Sequence, residues 1–318
     1  MPIKQNQLPL FPKETSAKKE TIEQGSNLSK ESLLSEAIEA FHDHMIQKGF
    51  TENTISSFLG DLSIFSRYLE DDVAIDGIST RKLNDFLAYL LHGRKAACTP
   101  KSYARRVTTL KVFFGWLAES GVVARDVAAP VIHRPASSPL PRILHTQQIA
   151  DVLAVTASML RRLEDPDPRP YLLVSLLLAT GMKKGECMRI NLADLDLASP
   201  TASAVYVRYD NPRRRYKERK LRLPPDFSAT LTLYRNQYKP QARLFECTAR
   251  NLEYVLTDVA QQANLPSGLS FEMLRMTCAV RDYKGGMDED TLRRKLGLSR
   301  IAWTEVLEKI QKLVSPAL

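Results

Sequence analysis

Apolar side chains recur at helical spacing from Ser29 onward. Leu34, Ile38, Phe41 and Met45 lie 4, 3 and 4 positions apart, and Gly49 ends the run. Ile55, Phe58, Leu62, Phe65 and Leu69 repeat at 3, 4, 3 and 4 behind Thr51 or Thr54 as a cap. A third helix is predicted from Ser79 or Thr80 through Leu83, Phe86, Leu87 and Leu90 to Gly93. The fourth opens on Thr99 with Pro100 in the first helical position, where the missing N–H costs nothing. It carries Tyr103, Val107, Leu110, Phe114 and Leu117 inward and stops at Gly121. Four capped amphipathic helices with short loops predict a compact bundle over residues 29–127.

Beyond it the pattern changes. Residues 128–142 hold four prolines in fifteen positions, which predicts a stiff linker. A second domain, residues 143–318, begins with Thr146 capping a helix through Ile149 and Leu153. Tyr171 to Thr180 is apolar all round and predicts a helix buried on every side. Ala204–Tyr209 and Arg219–Leu223 are β-prone or alternating on either side of Asp210-Asn211-Pro212-Arg213, which predicts one hairpin turning there. The remainder reads as helix, at about 226–238, 248–263, 270–283, 288–296 and 302–314. The expected fold class is mainly α: a four-helix bundle, then a mostly helical domain with a small β-hairpin. Residues 1–28, rich in Lys, Gln, Glu, Ser and Thr, are expected to be a disordered tail.

Composition adds exclusions. The 318 residues suffice for two cores, and 44% hydrophobic with 25% charged residues is ordinary for a globular chain. No run of eighteen apolar residues is present, so no membrane span is expected. The N-terminus lacks the apolar stretch of a secretory signal, so a cytoplasmic protein is expected. Cys98, Cys187, Cys247 and Cys278 form no CxxC pair, which excludes a disulfide framework and a clustered zinc site; no metal and no cofactor is expected.

Charge changes the picture most. Lys+Arg 45 against Asp+Glu 36 leaves +9, which points to a polyanionic partner, nucleic acid before membrane. Arg213, Arg214, Arg215, Lys217, Arg219, Lys220 and Arg222 stand together against Glu218. Cations so crowded repel one another unless a polyanion neutralises them, and release of its counterions drives that binding. Lys101, Arg105, Arg106 and Lys111 make the polar face of the fourth helix basic as well.

A four-helix bundle, a proline-rich linker and a helical domain with one basic hairpin together resemble the tyrosine recombinase (phage integrase) family, over roughly residues 30–318. Leu178 through Glu186 (LATGMKKGE) is similar to the family's TG-L-R-x-x-E junction, with Leu192-Ala193-Asp194-Leu195-Asp196 following. Arg214 through Leu223 (RRYKERKLRL) is similar to its K-G-N-K-E-R-x-x-P-L hairpin. Leu274-Arg275 resembles its H-x-L-R-H-T helix, and Leu296 through Ile301 (LGLSRI) its L-G-H-S-S-I turn. The bundle then corresponds to a core-binding, SAM-like domain and the second domain to the catalytic type.

The resemblance implies a single phosphate pocket. In it two arginines clamp the scissile phosphate with planar forks of donors. A lysine and two histidine-type positions handle protons, and a tyrosine attacks phosphorus. Carried over position by position, that pocket is depleted. Lys183 replaces the first arginine, keeping charge without the fork, and Arg214 replaces the hairpin lysine. Glu272 stands at the first histidine, Arg275 remains as the second arginine, Leu298 stands at the second histidine and Leu307 at the nucleophile. No tyrosine follows Tyr283 and no histidine follows His145, while Tyr283, Ser299 and Thr304 are poor substitutes for the nucleophile. A carboxylate at Glu272 would repel a phosphate by about 4 kcal/mol, taking ~4 Å and an effective dielectric near ~20.

The expectation is therefore a DNA-binding protein that has lost strand cleavage and serves as an accessory or regulatory factor in recombination, integration or transposition. The alternatives are an active recombinase with an unrecognised nucleophile and an interaction module that kept the fold without DNA. Duplex DNA would be held by Lys183, Arg213, Arg214, Arg215, Lys217, Arg219, Lys220, Arg275 and Arg300. Lys101, Arg105 and Arg106 would form the opposite jaw of a C-shaped clamp, and Arg293, Arg294 and Lys295 could reach the backbone. An active recombinase or a second copy could dock on Val306, Ile310 and Leu313 of the final helix, or these residues could simply pack at home. In the tail, Gln7-Leu8-Pro9-Leu10-Phe11 is similar to the Q-L-x-L-F peptide by which bacterial proteins dock on the replication sliding clamp, so Gln7, Leu8, Leu10 and Phe11 are expected to bind that partner. These readings place the protein on the nucleoid of a prokaryotic cell. His42 and His44 are expected at the surface, and Trp116, Trp303, Cys187 and Cys278 in packing roles.

Overall fold

The structure, a computed structural model, describes residues 28–70, 72–94, 98–132, 139–199 and 202–315. Gln7, Leu8, Leu10 and Phe11 lie outside the described residues. The chain divides into two compact units, Met1–Ser138 and Pro139–Leu318.

In the first unit, α1 (Leu34–Gln47), α2 (Glu52–Leu69), α3 (Thr80–His92) and α4 (Pro100–Glu119) make up the bundle. The hydroxyls of Thr51, Ser79 and Thr99 accept from the N–H groups of Thr54, Lys82 and Ser102, so each of the last three helices starts on a satisfied donor. The spaced apolar residues meet in one core, where Phe41, Leu62, Phe65, Phe86, Phe113 and Phe114 are fully buried. The Phe41–Phe113 and Phe113–Phe114 rings meet edge to face at 5.2 and 5.1 Å. The first residues of the expected linker belong to this unit: Ala128 and Val131 are buried in its core. Thr80 Oγ1 donates to Val127 O and Lys111 Nζ to Ala129 O, which pins that segment down.

In the second unit, α6 (Arg169–Thr180) is buried on every side. Around it pack α5 (Thr146–Leu160), α8 (Phe227–Tyr238), α9 (Ala249–Gln262) and α10 (Phe271–Lys284). The short helices α7 (Lys184–Cys187) and α11 (Glu289–Lys295) and the final α12 (Arg300–Val314) complete the helical part. β1 (Leu195–Asp196), β2 (Ala204–Val207) and β3 (Arg219–Arg222) form an antiparallel sheet in that order, with Ala204 opposite Arg222 and Val207 opposite Arg219. Two features depart from the sequence reading. β1 is an extra strand, two residues long and so too short to show alternation. The β2–β3 connection is no tight turn at Asp210–Arg213; it contains a 3₁₀ turn, Pro212–Lys217. Asn211 starts that turn, its side-chain oxygen accepting from Arg213 N–H and its carbonyl from Arg214 N–H, and Glu218 closes the loop by accepting from Tyr209 N–H.

The final helix packs at home. Trp303 and Ile310 are buried and Val306, Leu307 and Leu313 half-buried in a cluster with Met276, Val280 and Leu292, so of the two readings of Val306, Ile310 and Leu313 the structure favours packing at home. Among the described residues, no helix is long and apolar enough to cross a membrane, and no group of three His, Cys, Asp or Glu residues could hold a metal ion.

Candidate nucleic-acid interface

Gly181 ends α6 at φ +60°, and a Cβ there would meet Leu296 Cδ2 at 3.1 Å and Cys278 Sγ at 3.2 Å, so glycine alone fits the turn. The turn delivers Lys183 to the head of α7, where its N–H donates to Glu186 Oε2 at 2.8 Å and its Nζ lies 3.4 Å from Gly297 O. Arg275, from the buried side of α10, donates to the carbonyls of Gly181 and Leu296. Lys183, Glu272 and Arg275 line one cleft of about 380 Å³, together with Lys184, Glu253, Thr257 and Ser270. Three of the positions picked from the sequence thus converge. Arg214, Leu298 and Leu307 do not line the cleft; Arg214 is exposed on the 3₁₀ turn and the two leucines pack against the α10–α12 cluster.

Charge in the cleft is mixed, with Lys183, Lys184 and Arg275 set against Glu253 and Glu272. Burial pushes the Lys183 ammonium down to about 8; Arg275, Lys217 and Arg219 add to the effect while Glu186 opposes it. Arg275 is lowered too, by its burial first. Glu272 is exposed in the first turn of α10, where the helix dipole favours a carboxylate, and it sets a negative charge at the rim.

Arg219, expected on DNA, is committed inside the protein. Its side chain is 9% exposed and its NH1 and NH2 grip the two Glu186 oxygens at 3.1 and 2.9 Å. Its Nε donates to Lys295 O at 2.7 Å, and Glu186 also accepts the Tyr209 hydroxyl. Burial alone would raise the Glu186 carboxyl, but the Arg219 fork overrides it and holds the group at about 2. Tyr209 is pushed up to about 12 by burial and by Glu186. A buried carboxylate needs a counter-charge, and the nearest hairpin cation supplies it. Lys220 is likewise paired, with Asp196 at 2.8 Å. Arg293 and Arg294 hold Asp290, and Lys295 holds Asp282.

The cations left facing water are Arg213, Arg214 and Arg215 in the 3₁₀ turn and Arg300 at the start of α12, none of them paired with a carboxylate among the described residues. Lys217 is half-buried, its Nζ 5.3 Å from the centre of the Tyr216 ring.

The first unit brings a second correction. Asp61 of α2 is 3% exposed, and Arg105 Nε and NH2 fork onto it at 2.8 and 2.7 Å. Arg106 is itself buried, with its Nε 3.3 Å from Asp61 Oδ1 and its NH1 donating to Cys98 Sγ at 2.5 Å. Arg106 is thus an internal counter-charge and not a surface contact, while Arg105 keeps one side in water. Asp61 was missed by the sequence reading, yet it sits three residues after Phe58 and four before Phe65, on the apolar face of α2. Lys101 remains exposed. His44 is not a plain surface residue; it lies half-buried with its ring 5.3 Å from Trp116, and burial followed by Lys48 lowers its pKa.

Residues 38–121 match the family described as phage integrase, N-terminal SAM-like domain. Over the longer chain, 22% of residues are identical to the tyrosine recombinase XerD of Listeria innocua serovar 6a, covering 86% of this chain and 93% of that one. The tyrosine recombinase XerC of Roseiflexus sp. strain RS-1 is 26% identical, covering 87% and 90%. The fold is similar to that of a lambda integrase dimer bound to a COC' core site, with a TM-score of 0.66 at 14% identity over 86% of this chain and 77% of that one. The XerH site-specific recombinase bound to palindromic difH substrate is alike to the same degree, with a TM-score of 0.66 at 16% identity over 88% and 82%.

Proposed function

We propose that this chain, similar to tyrosine recombinases in sequence and in fold, is a member of that family that binds duplex DNA without cutting it. The observation that carries this reading is Leu307. The motif resemblance sets Leu307 at the position of the family's nucleophile, and its aliphatic side chain, packed against the α10–α12 cluster, has no atom able to attack phosphorus. The cleft supports the same reading. Lys183 offers a phosphate one point charge instead of a fork, Arg275 spends donors on Gly181 and Leu296, and Glu272 opposes the anion from the rim. A concerted set lacking its nucleophile loses many orders of magnitude in rate.

Binding rests on Lys183 in the cleft and, for the most part, on groups outside it. Arg213, Arg214 and Arg215 face water on a turn anchored at its base by the Arg219–Glu186 fork, so they can meet backbone phosphates with little reorganisation. Lys101 and Arg300 add exposed charge. In this reading the protein is an accessory or regulatory factor on the bacterial nucleoid, beside a recombinase that supplies the chemistry. The tail residues Gln7, Leu8, Leu10 and Phe11 would tether it to the sliding clamp.

The test mixes the protein with a nicked duplex and splits the sample between native and denaturing gels at two salt concentrations. A salt-sensitive native shift with nothing surviving denaturation is expected. An adduct that survives denaturation would establish an active recombinase instead, and no shift even at low salt would remove DNA from the account.

A further inference from the structure

The turn that carries the free arginines also carries an aromatic ring with no partner in the core. Tyr216 is 66% exposed, the most open tyrosine among the described residues. It is the fifth residue of the 3₁₀ turn Pro212–Lys217. In a 3₁₀ turn residues three apart are eclipsed, so Tyr216 and Arg213 project along the same edge, with Arg214 and Arg215 between them.

The turn is held at both ends. Arg213 N–H and Arg214 N–H bond Asn211, Glu218 N–H bonds Arg215 O at 2.9 Å, and Glu218 Oε1 accepts from Tyr209 N–H at 2.9 Å. Below it, β3 is fixed by the β2 ladder and by the Arg219–Glu186 fork. A ring presented on a fixed support loses little freedom on binding. An exposed aromatic set among cations is the composition that stacks on a nucleobase while the cations hold the backbone.

In intact duplex each base is covered on both faces by its neighbours, and opening a step costs a few kcal/mol. At a gap one face is already open. We propose, resting on the DNA-binding reading above, that Tyr216 stacks on such an open base while Arg213 holds the adjoining phosphate, so that the protein prefers gapped DNA to intact duplex.

The experiment measures binding by anisotropy to an intact duplex and to the same duplex with a short gap carrying 2-aminopurine at its edge. Wild-type protein should favour the gapped DNA and quench the 2-aminopurine. Tyr216→Ala should weaken gapped binding roughly 5- to 150-fold, the worth of one stacked base, and leave intact-duplex binding unchanged. Tyr216→Phe keeps the ring and should retain both preference and quenching, and thermal melting of each variant reports the fold. If Tyr216→Ala binds DNA with the wild-type ratio of gapped to intact affinity, the proposal is wrong although the DNA-binding reading stands. If wild-type protein binds neither DNA at low salt, the DNA-binding reading itself fails and this one with it.

Discussion

Neutralising Glu186 strands a guanidinium. In Glu186→Gln the shape is kept, but Arg219, whose side chain is 9% exposed against 1% for Glu186, loses its counter-charge. Breaking a buried pair in this way costs about 3–5 kcal/mol. Titration gives a second figure. The Glu186 carboxyl lies at about 2 in the folded chain against an ordinary 4.5, and at ~1.4 kcal/mol per tenfold that is about 3 kcal/mol. The sign follows from the depressed value: this stability is present above about pH 4.5 and is lost as pH falls toward about 2. Against a typical total of ~5–15 kcal/mol the effect is large. The chain holds 2 tryptophans, Trp116 in the first unit and Trp303 in the second. Urea unfolding followed by Trp303 fluorescence in a Trp116→Phe background therefore reports the unit that contains the pair. Glu186→Gln should lower its stability by about 3 kcal/mol near pH 7, and the deficit should shrink as acid titrates the wild type. Replacing both partners, as Glu186→Leu with Arg219→Met, should recover most of the loss. A Glu186→Gln variant within ~1 kcal/mol of wild type near neutral pH would refute the reasoning, as would parallel acid curves for the two proteins.

Other outcomes follow from the same geometry. Lys183, pushed down to about 8 chiefly by burial, should gain a proton when an anion enters the cleft. DNA affinity at fixed ionic strength should then fall as pH rises through that value, Lys183→Arg should flatten the profile, and filter binding across that range checks both. Arg213→Ala, Arg214→Ala and Arg215→Ala together should reduce the slope of log affinity against log salt by about 2.7, at ~0.9 per phosphate contact, with stability held within ~0.5 kcal/mol. A salt titration with a parallel melt reads both. Asp61→Ala should destabilise the first unit by about 3–5 kcal/mol because Arg106 stays buried without its partner, whereas Lys101→Ala should change it by under ~0.5 kcal/mol. Trp116 fluorescence in a Trp303→Phe background separates them.

Much of the fold was legible because helical periodicity and capping act locally. Thr51, Ser79 and Thr99 sit at the caps the pattern allowed, and the apolar run of α6 is buried all round. The two-residue β1 left no periodic trace, and the turn at Asn211 was misread because Asn-Pro starts a 3₁₀ turn as readily as a hairpin. The site was legible in outline, since Lys183, Glu272 and Arg275 do share a cleft. Charge assignment was the weak point. Arg106 and Arg219 look like any surface cation in the sequence, and only the positions of Asp61 and Glu186 across the fold show that both are spoken for. Asp61 carried a readable signal, a lone acid on an apolar stripe, and Glu186 ends the junction string Leu178–Glu186, but neither signal names the arginine that pairs with it.

The packing of Leu307 also bears on how this chain can change. A tyrosine at that position would have to fit, with its ring and hydroxyl, where an aliphatic side chain now lies among Trp303, Ile310 and their neighbours. Overfilling a packed site costs about 1–3 kcal/mol. Under the proposed function such a replacement would not restore cleavage by itself, because no single member of a concerted set works alone. Leu307 thus ties this stretch of α12 into the packing against α10, so a change made there reaches the hydrophobic cluster before it reaches the cleft.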